Sequence, residues 1–239
     1  MLLDIPPLDP KLPFSVEAKV QALCDALDPE RPAPDHLDAP GDRETDLLRA
    51  SGLLNLAVPA QFGGKGASWG TTFGIIRRLA KANSSVAERF ASQYLQIGTI
   101  QLLGTHEQQG NLLFGTAHHD WVWGSAIHAS SSGVFASVSA GELHVSGIPT
   151  IHSCVEGADR LILSAYTSDG SGLVFAAVDA FRAGIVRRVE RKPAGGATEA
   201  LRVIEFRRMA VSADEVLGGI LGNPEPRSAL QSVCHLDDS

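Results

Sequence analysis

The chain has 239 residues, 44% hydrophobic and 20% charged, a composition typical of a globular protein long enough to bury a core. Its formal net charge of −7 argues against a nucleic-acid or anionic-membrane surface, either of which needs a basic field. No apolar run approaches the ~20 residues that span a bilayer, the start MLLDIPPLDPKLP lacks the features of a signal peptide, and three cysteines without a CxxC pair suggest neither a disulfide framework nor a thiolate zinc site, so the expected location is the cytoplasm.

In chain order the first half reads as helical. Val16, Val20, Leu23 and Leu27 recur near the 3.6-residue period and predict a helix from Phe14. The proline-rich stretch Pro29 to Pro40 must be a loop. Thr45 to Ala50 predicts a short helix closed by Gly52 as a left-handed cap. A turn holding Gly63, Gly64 and Gly66 leads to a helix over Trp69 to Ala82. Because its neighbours read as helices and its pattern is GGxG, the turn is expected to serve backbone geometry and not a phosphate. Ser85 with Glu88 has capping-box spacing before a helix to Leu103, and Thr105 with Gln108 repeats it before a helix through Phe114.

The period then changes. DWVWGSAIHA, GVFASVSAGELHVSG, ADRLILSAYT, GLVFAAVDA, GIVRRVER and EALRVIEFRRMAV are short, rich in Val, Ile and Leu, and separated by turn clusters. Such spacing predicts a sandwich or barrel. Alternation in ELHVSG sets Leu143 and Val145 on one face and His144 on the other. Helices followed by strands give an α+β class. The expected organisation is a helical domain over 1–118, an antiparallel β-barrel domain over 119–217, and a tail over 218–239 in which Pro226 to Val233 could start another helix.

Three segments carry a family resemblance. LLRASGLLNLAVPAQFGGKG resembles the amino-terminal helical domain of acyl-CoA dehydrogenases, LLGTHEQQGNLL their GTxEQ segment, and ELHVSGIPTIHSCVEGADRLIL the start of their middle β-domain or its counterpart in related flavin-dependent monooxygenases. Together they span roughly residues 45 to 218 in the family's order. The resemblance implies a helical domain, a β-barrel domain and a carboxy-terminal helical bundle, with FAD bound between the last two in an oligomer. The sequence contains no counterpart of the bundle, nor of the glutamate base that lies in or near it, so no catalytic base is assigned.

The resemblance also nominates flavin contacts. GSAIHASSSG stands where the dehydrogenases place TEPxxGSD, so His128, Ser130 and Ser132 supply polar groups in place of the Glu-Pro pair. A flavin needs hydrogen-bond donors near N1, O2 and N5. Ser153 falls at a flavin-facing hydroxyl, Ile151 at the aromatic packing position and Pro149 at the dehydrogenase lysine. An aromatic partner at Ile151 would contribute ~1 kcal/mol more than an aliphatic one.

His118, His119, Asp120 and His128 cluster in sequence, but neighbouring residues on a strand point to opposite faces, so no metal site is expected. Arg187, Arg188, Arg191, Lys192, Arg202, Arg207 and Arg208 read as a solvated sheet face or as contacts to an anion such as the CoA phosphates.

The reading that follows from the resemblance is an acyl-CoA dehydrogenase-like flavoprotein or subunit, oxidising the CH–CH group of an acyl thioester with FAD, with a partner chain supplying the bundle and a homo- or hetero-oligomeric assembly. A two-component flavin-dependent monooxygenase subunit and a non-catalytic binding or scaffold subunit are the alternatives.

Overall fold

A computed structural model describes residues 14–27, 42–127, 133–139, 142–149, 154–168, 172–194 and 197–218. Helices α1 (Phe14–Ala26), α2 (Asp42–Ser51), α3 (Trp69–Ala82), α4 (Ser84–Leu103) and α5 (His106–His119) precede strands β1 (Trp123–Ala126), β2 (Val134–Ser139), β3 (Glu142–Gly147), β4 (Arg160–Thr167), β5 (Leu173–Asp179), β6 (Ile185–Ala194) and β7 (Ala197–Val211). The helical-then-strand order read from the sequence is therefore the architecture.

The four periodic apolar residues of α1, Val16 to Leu27, are all buried. Gly52 adopts φ 61 after α2, as a left-handed cap requires. In the glycine turn, Gly63 closes a 3-10 turn over Ala60–Phe62 at φ 89. A β-carbon on Gly64 would lie 1.9 Å from the Val58 carbonyl oxygen, so this turn is shaped by close backbone approach. Helix α2 begins at Asp42, three residues before the expected Thr45, and boundaries of α4 and α5 also differ from the sequence reading. Helix α4 is capped by Asn83, whose side chain accepts from Val86 N at 3.0 Å, and not by Ser85. Asn83 has extended dihedrals, which places the boundary two residues earlier. Helix α5 has both bonds of the Thr105–Gln108 capping box, but it continues past Phe114 to His119. His118 and His119 are thus in a helical turn and not on a strand.

The sheet runs β1-β4-β2-β3-β7-β6, with β5 on β4. It is mostly antiparallel and, among the described residues, does not close. Two pairings are parallel, β1 with β4 and β2 with β4. The reason is geometric: β1 and β2 follow each other closely in sequence and lie end to end along one edge of β4, so both run in its direction.

Each face of the sheet meets a different core. Trp123, Ile162, Phe175 and Ala177 join Phe90, Tyr94, Ile97 and Ile100 under the helical layer. Leu161, Leu163, Ala165, Val134, Val145, Phe206 and Met209 form the second core on the opposite face. Polar side chains tie the layers together. Gln108 Nε2 donates to Asp214 O at 2.8 Å and Val216 O at 2.7 Å. Arg89 donates to Glu156 O at 2.9 Å. Arg49 pairs with Asp159 at 2.8 Å, and Asp159 accepts from Val122 N at 2.7 Å.

Candidate functional site

The site is built from the edge of β4. Residues Trp123 to Ala126 pair with Arg160 to Leu163, and Phe135 and Ala136 pair with Tyr166 and Thr167. Ser164 and Ala165 therefore lie opposite the interval between β1 and β2. The chain leaves the sheet at Ile127 and returns at Gly133 across this interval. The face that carries Trp123, Ser125, Ile162 and Ser164 is covered by helices up to that point. By the cross-strand register the same face continues through Phe135, Tyr166, Ser137, His144 and Ser146. Here it is open: Phe135 is 44% exposed. The border between the covered and open halves is a ledge.

The predicted contacts His128, Ser130, Ser132, Ile151 and Ser153 lie outside the described residues. Their flanks are described. Ile148 N donates to Gly133 O at 2.9 Å. Gly147 has φ 127, and a β-carbon there would lie 1.8 Å from Gly133 O. A β-carbon on Gly124 would lie 2.7 Å from Cys154 O. Gly133 and Gly147 thus lie together at the start of β2 and the end of β3, while Cys154 lies against Gly124 of β1 on the face that carries Leu161.

Several buried polar atoms lack hydrogen-bond partners. Ser92 and Gln96, 5% and 2% exposed on α4, leave Oγ and Oε1 unsatisfied, and His144 leaves Nδ1 unsatisfied. Ser92 and Gln96 continue the helical row begun by Arg89, which reaches the sheet unit. Orphaned buried polar atoms are uncommon in native proteins and mark sites where water or a ligand completes the set. Phe135 and Tyr166 are paired across β2 and β4 on this open half. Sequence reasoning missed Ser92, Gln96, Phe135 and Tyr166. Their role depends on register and on which helix flank meets the sheet, which spacing within one segment does not specify.

The other nominated clusters have structural roles. Trp121 lies between the Arg160 guanidinium, 4.1 Å from its ring, and the His119 ring at 5.5 Å. It rests on Gly115, where a β-carbon would come within 2.4 Å. His118 stacks on Phe114 at 5.4 Å. Among the described residues no three metal-ligating side chains come together. Arg188 and Arg207 pair with Glu205 at 2.9 and 3.0 Å. The Arg207 hydrogen bond holds the Glu205 carboxyl below the usual range. Arg187 donates to Ala180 O at 2.7 Å and lies over Phe181, and burial lowers its pKa.

An apolar strip remains on the helical layer. Leu95, Gly98 and Leu102 share one face of α4 by helical spacing. Trp69 lies on Gly98 with Phe73 beside it at 6.1 Å. Trp69, Phe73, Leu95 and Leu102 are all exposed. A cleft of about 230 Å³ opens next to Trp69, between Pro59, Ala67, Ile97 and Gln101. No described helix is long and apolar enough to cross a membrane.

Residues 18–120 match the family model "Acyl-CoA dehydrogenase, N-terminal domain". Over these residues the chain carries an acyl-CoA dehydrogenase amino-terminal domain. The chain is 32% identical over 175 residues to "Probable FMNH2-dependent monooxygenase SfnC" of Pseudomonas putida, an alignment covering 73% of this chain and 44% of that protein. The chain thus spans less than half the length of that relative. The structure of TdsC from Paenibacillus sp. A11-2 with FMN and indole superposes with TM-score 0.70 at 24% identity, covering 86% of this chain and 53% of that one. An acyl-CoA dehydrogenase from Geobacillus kaustophilus superposes with TM-score 0.69 at 19% identity, covering 93% and 62%. At these identities the two superpositions show a shared fold.

Proposed function

We propose that this chain is the helical and β-domain portion of a flavin-dependent oxidoreductase, and that its chemistry is that of a two-component monooxygenase using reduced FMN and oxygen. The observation that carries the reading is the half-open ledge beside Ser164, in a chain 32% identical to a protein named for FMNH2-dependent monooxygenation. The flavin ring is proposed to lie with one face on this ledge. His128, Ser130 and Ser132 would line one margin, and Ile151 and Ser153 the other. When bound, reduced flavin supplies the electrons that activate oxygen. The chain's own residues bind and orient: Phe135 and Tyr166 give the flat seat, backbone amides at the ledge donate, and the helical layer excludes water from one side. The proposed domain limits are 1–118 and 119–217, and the strip of Trp69, Phe73, Leu95 and Leu102 is proposed as the seat of a helical bundle from a partner chain.

Purified chain titrated with FMN, reduced FMN and FAD tests this directly. Saturable quenching of flavin fluorescence is expected, together with NADH-driven oxygen consumption when a flavin reductase is added. Failure to take up any flavin, with or without a bundle-bearing partner, would sink the reading.

The second reading, oxidation of an acyl thioester with FAD, is favoured by the dehydrogenase-family match over 18–120. Bleaching of bound FAD by an acyl-CoA under anaerobic conditions would select it. The scaffold reading survives only if flavin binding fails while the partner still binds.

A further inference from the structure

Among the described residues, strand β1 pairs with another strand, β4, along one edge only. At its start the other edge is occupied by a side chain. Gln93 of α4, fully buried, donates Nε2–H to Trp121 O at 3.0 Å and accepts Trp123 N–H on Oε1 at 2.9 Å. Donating to the carbonyl before a residue and accepting from the amide after it is what a neighbouring parallel strand does. The residue so bracketed is Val122. On the opposite edge, Val122 N donates to Asp159 Oδ2 at 2.7 Å, and Val122 O accepts from Asp159 N at 2.9 Å and Arg160 N at 3.2 Å. The Gln93 amide cannot turn over without loss, because its Nε2 also faces Leu54 O at 3.5 Å.

A strand of four residues has a weak ladder of its own. A one-residue slip would carry Trp123 and Ser125 to the opposite face. We propose that Gln93 is a positioning residue for the cofactor ledge: its carboxamide stands in for an absent strand and fixes the height at which Ala126 and Ile127 leave the sheet beside Ser164. The inference rests on the flavin reading, because that exit borders the surface on which the ring is proposed to lie.

The test labels tryptophan with nitrogen-15; there are three tryptophans. The Trp123 backbone amide reports on Gln93, and its indole N–H, bonded to Thr116 Oγ1 at 2.9 Å, is the internal control. In Gln93→Leu the Trp123 amide is expected to shift and its solvent exchange to rise about tenfold or more, as loss of a buried hydrogen bond implies. The indole signal should stay in place, exchange over 123–127 should rise, and FMN affinity should fall about tenfold.

Gln93→Glu is the second variant. Its protonated carboxyl can make both bonds, whereas the carboxylate would face two carbonyl oxygens. Its folded pKa should therefore be raised, so the stabilising bond is present at low pH and lost as pH rises through that value. The variant should match wild type near about pH 5 and the Leu variant near about pH 8, with a midpoint above the ordinary ~4.3. A packing role alone gives the same defect at both pH values and overturns the proposal. So does an unmoved Trp123 amide in Gln93→Leu, or a freed amide with unchanged FMN affinity. Should wild type bind no FMN, the flavin reading falls by itself; exchange at Ile127 then judges the positioning role, and an unaltered rate in Gln93→Leu defeats it.

Discussion

One face of one sheet has two halves with opposite character. Under α4, Trp123 and Ile162 are fully buried, and the Trp123 backbone and indole N–H groups both have partners. Past Ser164 the same face exposes Phe135 and leaves His144 Nδ1 without a partner. The covered half behaves as interior and the open half as a surface awaiting a ligand or a second layer. The two halves can thus be perturbed separately, although Ile162 of the covered half and Tyr166 of the open half belong to one strand, β4.

The largest expected effect is on the covered half. Trp123→Ala should cost about 3–5 kcal/mol by cavity formation, read as a lower denaturant midpoint. An equal loss from Phe135→Ala would erase the distinction between the halves. At the border, Gly147→Ala should cost about 2–4 kcal/mol through positive-φ strain and the clash with Gly133 O. An unchanged midpoint would mean that the bases of the two predicted segments are not locked together. On the open half, Phe135→Ser should stay within about 1 kcal/mol in stability while FMN affinity falls about fivefold, the share of one aromatic contact.

The helical strip extends the comparison. Leu95→Glu with Leu102→Glu should leave stability within about 0.5 kcal/mol and shift the light-scattering mass toward the 25.2 kDa of one chain. Wild-type protein already at that mass, with no bundle partner bound, would count against the proposed cover. The smallest effect concerns Glu205, whose carboxyl Arg207 holds below its ordinary value. Its stabilisation is present above the unfolded carboxylate pKa and is lost as pH falls through the lower folded value. Glu205→Gln should flatten the acid limb of an unfolding titration, and an unchanged limb would remove the pair from the account.

Local periodicity made much of this fold readable. The buried spacing of α1, the capping box of α5 and the alternation of Leu143, His144 and Val145 are all properties of adjacent residues. Where the reading failed, a competing interaction decided. Asn83 displaces Ser85 as a cap because its side chain reaches Val86 N. Helix α5 keeps Gly115, a poor helix former, because Trp121 occupies the space a side chain would need. The arrangement of β1 and β2 along one edge of β4 was not legible, since register is set between distant segments. Asp159 could be noticed only as part of a motif resemblance. Its bonds to Arg49 and Val122 require the fold. Gln93 left no trace, because its partners Trp121 and Trp123 lie 28 and 30 residues away in sequence.

The carboxamide beside Val122 has a consequence for solubility. A strand margin with bare amides invites a stranger's backbone to add itself, the first step toward fibrous assembly. Here that invitation is withdrawn at the start of β1 by a residue that cannot propagate the ladder. The margin at β6 presents Val189 to solvent but sets Arg188, paired to Glu205, next to it; the β1 edge is closed by mimicry and the β6 edge guarded by charge.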